Sequence, residues 1–424
     1  MNQVVALVLL ALAAIAYGLV ARSLDRVWIS APIVFVAAGI LIGPAALGLD
    51  SPTASTEWVK VTTELTLALL LFVDASMVRL ADAEQGIGLP ARLLGLGLPM
   101  TGVLGALVGL LVLPGLGWAL CALIACILAP TDAALGLAVV TNTSVPSRIR
   151  RTLNIESGLN DGIATPFITL FIAVIVAEET HGDWVSAAVK EILVAIALGA
   201  AIGFVIGVAS RVARAHTWMA ASSPQLVVLL TPLCCYGAAV AVGANGFVAA
   251  YVCGFAYGVG SRHALADATD FTEDIGLYLS FLVWTIFGMV FAGPLLDHGF
   301  TWKPFAYAII SLTVVRMVPV ALALVGTGLR ARTTLFIGWF GPRGLASVVF
   351  TLIAVEDLSS DPGLSTLVAV TTWTILLSVV LHGVTATPIA ARYGRSVAGL
   401  PAGAAELDGA DTHGSFRRRS LFPH

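Results

Sequence analysis

The sequence predicts an all-α polytopic membrane protein with about thirteen transmembrane helices, and three observations lead to that fold class. Hydrophobic residues make up 58% of the 424 residues and charged residues only 11%, whereas roughly 25% of an average soluble domain is charged. The mean hydropathy is +0.96. The apolar residues are also gathered into stretches of about 20 residues, the length that crosses a bilayer. The lipid bilayer is therefore the expected partner, and no nucleic acid is expected.

The spans are separated by charged residues and by breaks rich in proline and glycine. The eighth and ninth spans are divided only by a short Gly-Ala-Asn-Gly turn. In chain order the predicted spans cover residues 3–20, 28–47, 61–78, 92–113, 117–140, 152–177, 186–210, 224–241, 243–260, 275–293, 302–328, 333–355 and 364–390. The transmembrane domain is thus residues 1–390, and residues 396–424 are predicted to form a disordered tail.

The basic residues test this segmentation independently, because cytoplasmic loops carry an excess of Lys and Arg. Of the 22 basic residues, seventeen fall on one side, only Lys60, Lys190 and Lys303 fall on the other, and Arg316 and Arg343 lie inside spans. This distribution predicts an external N-terminus and a cytoplasmic C-terminus in a multi-pass protein of the cell (inner) membrane.

Two spans are interrupted at matching places in the chain. The fifth is broken at residues 129–132 and the twelfth at residues 340–344, and each break contains a proline, which removes a backbone donor and disfavours helix. The two broken spans are seven spans apart, and an odd number of spans reverses the orientation in the membrane. This offset predicts that residues of about 1–177 repeat in inverted orientation as 224–390, with the helix at 186–210 as linker. In secondary transporters such crossed, discontinuous helices form the binding site near the midplane.

The sixth span carries ionisable and polar residues in the middle of the membrane. Asp161 lies nine residues beyond Thr152, which is about 14 Å at 1.5 Å per residue and close to the centre of a core of about 30 Å. Ser157 and Asp161 share one helix face, and Glu156 and Asn160 share the adjacent one. An intramembrane carboxylate indicates a functional site, and the oxygen atoms on the first face suit a hard cation.

Arg343 reaches a depth similar to that of the two acids. We expect it to form the core ion pair with Glu156, because neither charge is tolerable alone in the interior. Arg316 is predicted to be a structural charge that reaches the interface or neutralises a helix end. A single stabilising polar cluster is the alternative interpretation of all these residues.

The acids in the spans outnumber the bases, so that carboxylates remain without a basic partner. In a poorly solvated site such a carboxylate holds a proton more readily than in water, and a small cation competes for the same oxygens. Asp132 is predicted to cap the half-helix after the break, to contact an ion, or both, and Thr131 supplies a hydroxyl or a freed carbonyl. Asp74, near the cytoplasmic end of the third span, is either a funnel carboxylate that attracts cations or an interfacial residue.

Three motifs together give the chain a resemblance to a known family. Ala129-Pro130-Thr131-Asp132, Glu156-Ser157-Gly158-Leu159-Asn160-Asp161-Gly162 and Gly338-Trp339-Phe340-Gly341-Pro342-Arg343-Gly344 occur in this order. The chain resembles the NhaP-type sodium/proton antiporters of the monovalent cation:proton antiporter-1 family, which are related to the animal sodium/hydrogen exchangers. The resemblance covers essentially all of residues 1–390.

The resemblance implies a thirteen-helix fold with inverted repeats, a homodimer, and a mobile core domain around helices 5, 6, 12 and 13 that moves like an elevator. It implies Na⁺ and H⁺ binding at Asp161, with Ser157 and the Thr131 backbone as further ligands. Asn160 beside Asp161 marks the electroneutral exchangers. The family usually has an acid directly after Leu-Leu-Phe, whereas here Val73 intervenes and Asp74 is turned by about 100° around the helix.

The sequence therefore predicts a secondary antiporter that exchanges a monovalent cation, Na⁺ or Li⁺, for H⁺, with no cofactor and no enzymatic activity. A potassium/proton antiporter or a cation channel on the same scaffold is the alternative within transport. An intramembrane aspartyl protease that uses Asp132 and Asp161 is a remote alternative from another class.

Overall fold

The computed structural model describes residues 2–26, 29–44, 46, 56–78, 88–180, 184–262, 266–297, 299–401 and 403–407. Within these ranges it contains helices and no β-strand. The helices are α1 (Asn2–Arg26), α2 (Ala31–Ile42), α3 (Glu57–Ser76), α4 (Gly88–Val112), α5 (Trp118–Leu128), α6 (Leu137–Val140), α7 (Ser147–Thr180), α8 (Trp184–Ala215), α9 (Ser223–Ala241), α10 (Gly246–Ser261), α11 (266–297), α12 (Trp302–Ala323), α13 (Ala331–Trp339), α14 (Leu345–Asp357) and α15 (Leu364–Val397).

Seven of the described helices are long and apolar enough to cross a membrane by themselves, namely α4, α7, α8, α9, α11, α12 and α15. Shorter apolar helices include α2, α5 and α10. The predicted all-α, multi-pass membrane fold is confirmed. The number of thirteen spans stays a prediction, because several helices of the bundle are shorter than a full span.

The two predicted interruptions are present, and they differ in shape. In the fifth span, α5 ends at Leu128 and only the single turn α6 follows the break. In the twelfth span, α13 ends at Trp339 and the full helix α14 begins at Leu345. The prolines of the two motifs, Pro130 and Pro342, lie in the non-helical segments, as expected for a residue that lacks a backbone donor.

Most of the helix packing falls within two sets. One set, here called the glycine-packed set, contains α1, α2, α3, α8, α9, α10 and α11. The other, the broken-helix set, contains α4, α5, α7, α12, α13, α14 and α15. The two sets meet where α7 packs against α3, α8 and α10, where α14 packs against α3 and α11, and where α15 packs against α2 and α11.

Close backbone contact holds the glycine-packed set together. A methyl group on Gly203 of α8 would overlap the carbonyl of Cys253 on α10, and one on Gly254 of α10 would overlap the carbonyl of Phe72 on α3. Glycine at these positions allows helices to approach closely, which favours packing inside a membrane where apolar burial gives little driving force.

The start of the predicted tail has defined structure. Helix α15 continues to Val397, and the described chain goes on to Leu407. The Glu406 side chain is buried, and its Oε1 accepts hydrogen bonds from the Arg330 backbone N–H and the Thr333 hydroxyl, both at 2.9 Å. The predicted disorder therefore does not hold for this part, and residues 408–424 lie outside the described residues.

Candidate functional site

The two broken helices cross at their interruptions. The backbone N–H of Asp132, in the first break, donates to the carbonyl of Pro342 in the second at 2.8 Å. This bond pairs a backbone donor of the first break with a backbone acceptor of the second, two groups that have no helical partner where the helices are interrupted. The crossing brings the end of α5 beside the start of α14.

Asp132 caps the start of α14. Its Oδ2 accepts the N–H of Leu345 at 2.8 Å, and its Oδ1 accepts the N–H groups of Ala134 at 2.7 Å and Leu135 at 3.0 Å. A methyl group on Gly344 would overlap the Asp132 carboxylate, so the glycine is required for this close approach. A carboxylate at a helix N-terminus is favoured by the free N–H groups and the helix dipole.

Asp132 is thus a helix cap, but the helix that it caps is α14 of the other broken span and not the half-helix that follows the break in its own span. Both of its oxygens are engaged by backbone donors, which makes it a structural anion rather than half of a pair that shares one proton with Asp161. The arrangement does not suit an aspartyl protease.

Arg343 binds the free carbonyl groups just past the end of α5. Its Nη1 donates to the carbonyls of Ala129 at 2.7 Å and Pro130 at 3.1 Å, and its backbone N–H donates to the Ser378 hydroxyl at 2.6 Å. A cation at a helix C-terminus is stabilised by the unpaired carbonyls there.

The predicted ion pair between Glu156 and Arg343 is wrong. Glu156 pairs with Arg316 of α12, with Oε1 and Nη1 2.6 Å apart and both side chains no more than 3% exposed. Arg343 is committed to the α5 carbonyls, while Arg316 packs so closely on the second break that a methyl group on Gly341 would overlap it. The position of a residue along a span gives an estimate of its depth, but it does not fix the direction in which the Arg343 side chain points.

Hydroxyl and amide groups gather beside the crossing. The hydroxyl oxygens of Thr131 and Ser157 are 3.0 Å apart, and the Asn160 Nδ2 donates to the Thr131 hydroxyl at 2.6 Å. All three side chains are buried. Asn160 therefore fixes the orientation of Thr131, and Thr131 and Ser157 present two oxygens at the same place.

Asp161 lies one helical turn beyond Ser157 on the same face of α7, as predicted. It is half-buried, and it interacts electrostatically with Asp132 and Asp74. Within the described part of the chain, neither arginine of the core pairs with it, since Arg316 engages Glu156 and Arg343 engages carbonyls. Asp161 is therefore the acid at the crossing whose charge is not neutralised by a base.

Asp74 of α3 faces the same region. A methyl group on Gly158 of α7 would lie 3.7 Å from the Asp74 Cβ and 3.8 Å from its carboxyl carbon. The displacement by one residue in the third span therefore leaves this carboxylate next to the sixth span, one turn from Asp161.

A small cavity approaches the crossing from one direction. Its lining includes Asp132, Ser157, Asn154, Val140 and Phe340, of which Asn154 and Val140 lie toward the end of the bundle that carries the arginine-rich loops, here called the basic end. The Asn154 Oδ1 is buried and has no hydrogen-bond partner among the described residues. The cavity thus lies on the side of Ser157 that faces the basic end.

Sequence reasoning missed two residues near Asp161. Asn154 lies three residues before Ser157 on the same helix face, so helical periodicity could have identified it. Tyr251 of α10 lies against α7 beside Asp161, and no sequence signal links it to the sixth span.

His382 is an interior histidine. It is buried, its Nε2 lies 2.8 Å from the carbonyl of Trp339, and its Nδ1 lies 3.0 Å from the carbonyl of Ser378. It ties α15 to the end of α13 and takes no part in the polar cluster of α7.

The fold and this site define a multi-pass membrane protein that holds a carboxylate and hydroxyl groups where two interrupted helices cross, which is the architecture of a secondary transporter. The model of the family described as "Sodium/hydrogen exchanger, transmembrane" matches residues 8–392, and the chain belongs to this family. The family is one of transporters and not of enzymes.

The chain is similar to characterised relatives over most of its length. It is 24% identical over 402 residues to Na(+)/H(+) antiporter 2 of Zygosaccharomyces rouxii, covering 85% of this chain and 49% of the relative. It is 25% identical over 376 residues to the K(+)/H(+) antiporter NhaP of Alkalimonas amylolytica, covering 85% of this chain and 62% of the relative. The chain thus spans half to less than two thirds of the length of these relatives.

The fold matches that of a solved structure. The sodium proton antiporter MjNhaP1 from Methanocaldococcus jannaschii superposes with a TM-score of 0.74 and 20% sequence identity, covering 90% of this chain and all of that chain. This match confirms the predicted antiporter fold.

Proposed function

We propose that this chain is an antiporter that exchanges a monovalent cation for a proton at Asp161. The observation that carries the proposal is that Asp161, beside the oxygens of Ser157 and Thr131, is paired with neither Arg316 nor Arg343 within the described part of the chain. Asp132 and Glu156 have their own partners. Asp161 can therefore hold either a proton or a cation, and competition between the two couples their movements.

The surrounding residues divide the work between binding and support. The hydroxyls of Ser157 and Thr131 would complete an oxygen shell for Na⁺, and Asn160 holds Thr131 in place. Asp74 adds negative charge that raises the local concentration of cations. The capped helix ends supply a rigid frame.

The choice of cation is open between two candidates. Relatives of comparable similarity carry the names Na(+)/H(+) antiporter and K(+)/H(+) antiporter. Hydroxyl and carboxylate oxygens bind either ion. We propose Na⁺ as the substrate, with Li⁺ accepted, and K⁺ as the second candidate.

We further propose the setting in which the exchange takes place. The arginine-rich end of the bundle is cytoplasmic by the positive-inside rule, which places the N-terminus outside and the C-terminus inside a cell membrane. A homodimer built of inverted repeats, with the broken-helix set as the moving part, fits the division of the helices into two packed sets.

The central test is the Asp161→Asn variant in proteoliposomes. It keeps the size of the side chain and removes its ability to hold a proton or balance a cation, so proton movement driven by Na⁺, Li⁺ or K⁺ gradients should fall to the level of empty vesicles. Asp270→Asn, which changes an exposed carboxylate on α11, is the matched control and should exchange normally.

Two outcomes would contradict the proposal. Near-normal exchange by Asp161→Asn would exclude Asp161 as the shared site. Cation flux through the wild-type protein without any accompanying proton movement would indicate a channel instead.

A further inference from the structure

A tyrosine of the glycine-packed set lies against the helix that carries Asp161. Gly162 follows Asp161 directly, and a methyl group at Gly162 would overlap three ring carbons of Tyr251 on α10. The ring thus rests on the backbone of the residue next to the proposed cation carboxylate. The contact crosses the boundary between the two sets of helices.

The ring and the cavity lie on opposite sides of Asp161. Helix α7 begins at the basic end, so Asn154 and Ser157 come before Asp161 and Gly162 comes after it. The cavity is lined by Ser157 and by residues that lie toward the basic end, Asn154 among them. Tyr251 therefore covers the side of Asp161 that faces away from that end.

Further layers close the same side. Phe247, one turn from Tyr251 on α10, makes edge-to-face contact with Phe350 of α14, with ring centroids 6.2 Å apart. Tyr236 of α9 lies 5.3 Å from Phe247. Tyr251 packs against the large apolar cluster that also contains Phe247 and Phe350, so aromatic side chains from both sets lie on this side.

An ion pair lies beyond these aromatic side chains. Lys60 of α3 pairs with Glu356 at the end of α14, and both side chains are partly exposed. This pair also joins the glycine-packed set to the broken-helix set. Apart from the contact of Tyr236 with Phe247, which lies within the glycine-packed set, the contacts that close this side join the two sets.

The hydroxyl of Tyr251 is influenced by the charge of nearby carboxylates. Tyr251 interacts electrostatically with both Asp74 and Asp161, while its ring packs on apolar neighbours. An amphipathic tyrosine can in this way exclude water with its ring and keep its polar tip near the charged site.

We propose that Tyr251 is the gating residue on the side of Asp161 remote from the basic end, and that its ring must leave Gly162 before the site opens to that side. The inference rests on the proposed antiport function. An antiporter must expose its carboxylate to one side at a time, because a carboxylate open to both sides conducts protons without exchange. Apolar constrictions close pathways of this kind by excluding water.

The first test compares Tyr251→Ala with Tyr251→Phe in proteoliposomes. With no transported cation present, Tyr251→Ala should raise the proton leak several-fold over wild type, since the seal beside Asp161 is lost. Tyr251→Phe keeps the ring and should stay as tight as wild type. Adding Asp161→Asn to Tyr251→Ala should abolish the extra leak, because the leak passes through that carboxylate.

The second test uses Gly162→Ala, whose methyl group displaces the ring. Cation-driven proton movement should fall at least several-fold, and the double variant Gly162→Ala/Tyr251→Ala should recover the cation-driven component of Tyr251→Ala. Gly102→Ala on α4, where an added methyl group meets nothing within 4 Å, is the control for the glycine replacement itself.

The outcomes separate the two proposals. Absence of exchange by the wild-type protein would overturn both. Exchange by the wild type together with a tight Tyr251→Ala would overturn the gate alone, and so would a Gly162→Ala loss that the second substitution does not relieve. If Gly162→Ala does not fold, the leak of Tyr251→Ala against Tyr251→Phe decides by itself.

Discussion

The charged residues in the middle of this protein differ in what binds them, and that difference determines their roles. Asp132 accepts three backbone N–H bonds, and Glu156 is paired with Arg316. Each of these acids gains its stability from remaining charged. Asp161 has no such partner among the described bases, so its charge can be balanced by a proton or by a transported cation. The transport role is therefore assigned to Asp161, whose charge has no such fixed partner.

The correction of the core ion pair gives a direct test at this scale. Glu156→Gln and Arg316→Gln should each destabilise the protein by about 3–5 kcal/mol, because each leaves a buried charge without its partner. The double variant should recover part of the loss. Thermal unfolding in detergent measures all three.

The ion pair Lys60–Glu356 is the matched control for this cycle. Its side chains are 41% and 35% exposed, and an exposed pair contributes only about 0–1 kcal/mol. Lys60→Gln and Glu356→Gln should therefore shift the unfolding temperature little. Strictly additive losses at Glu156 and Arg316 would mean that the two residues do not stabilise each other.

The sequence predicted the residues of the site better than their contacts. Helical periodicity predicts that Ser157 and Asp161 share a face. An acid after a helix break predicts a cap at Asp132, but not that the capped helix is α14 of the other broken span. The partner of Glu156 could not be predicted, because position along a span gives the depth of a side chain but not the direction around the helix. Tyr251 comes from a distant segment, and only the tertiary structure brings it to Gly162.

At the scale of elements, the two interrupted helices stabilise each other through their ends. Arg343, beside the start of α14, binds the last carbonyls of α5, and Asp132, just past the end of α5, binds the first N–H of α14. The charge beside each helix thus neutralises the end of the other helix. These reciprocal hydrogen bonds explain why each break carries a charged residue close to its proline. They also fix the crossing against which Ser157 and Thr131 are positioned.

A third helix end, that of α13, is bound by the chain's own C-terminal segment. Burial disfavours the Glu406 carboxylate, but the hydrogen bonds from the Arg330 N–H and the Thr333 hydroxyl outweigh it and hold the pKa of Glu406 below its usual value. Since the pKa is lowered by folding, the stabilisation is present above the ordinary carboxyl pKa and is lost as pH falls through the lowered one.

We therefore expect Glu406→Gln to lower the unfolding temperature at neutral pH. The difference from wild type should shrink as the pH falls below about 4, where the wild-type carboxylate also takes up a proton. Glu57→Gln, at the start of α3, is a control with an exposed carboxylate. A constant difference across this pH range would show that the charge of Glu406 is not what stabilises the start of α13.

At the scale of the whole molecule, the number and parity of apolar stretches predicted the membrane fold, and the paired breaks predicted the crossing. The sequence did not predict that α6 is only one turn, since the apolar residues 133–140 read as a continuing helix. It also gave no indication that the segment with Glu406 returns to the bundle, because a short stretch rich in Gly and Ala with one acid resembles a disordered tail. The division into two packed sets depends on glycine contacts such as Gly203 with Cys253, which no local pattern reveals.

The charge balance of the whole transport cycle follows from the number of exchangeable groups at the crossing. Asn160 is neutral, Glu156 is paired and Asp132 is a helix cap, which leaves Asp161 as the carboxylate that we propose exchanges a proton for a cation, with Asp74 contributing only negative charge. Each cycle should therefore move one monovalent cation against one proton, and no net charge. A membrane potential set by a thiocyanate gradient, which avoids potassium as a possible substrate, should leave the initial rate of Na⁺-driven proton movement unchanged in proteoliposomes. Vesicles that contain Asp161→Asn provide the leak at each potential. A rate that grows with the potential after this subtraction would require a second titrating carboxylate, and Asp74, which faces α7 beside Gly158, would be the first residue to replace by asparagine.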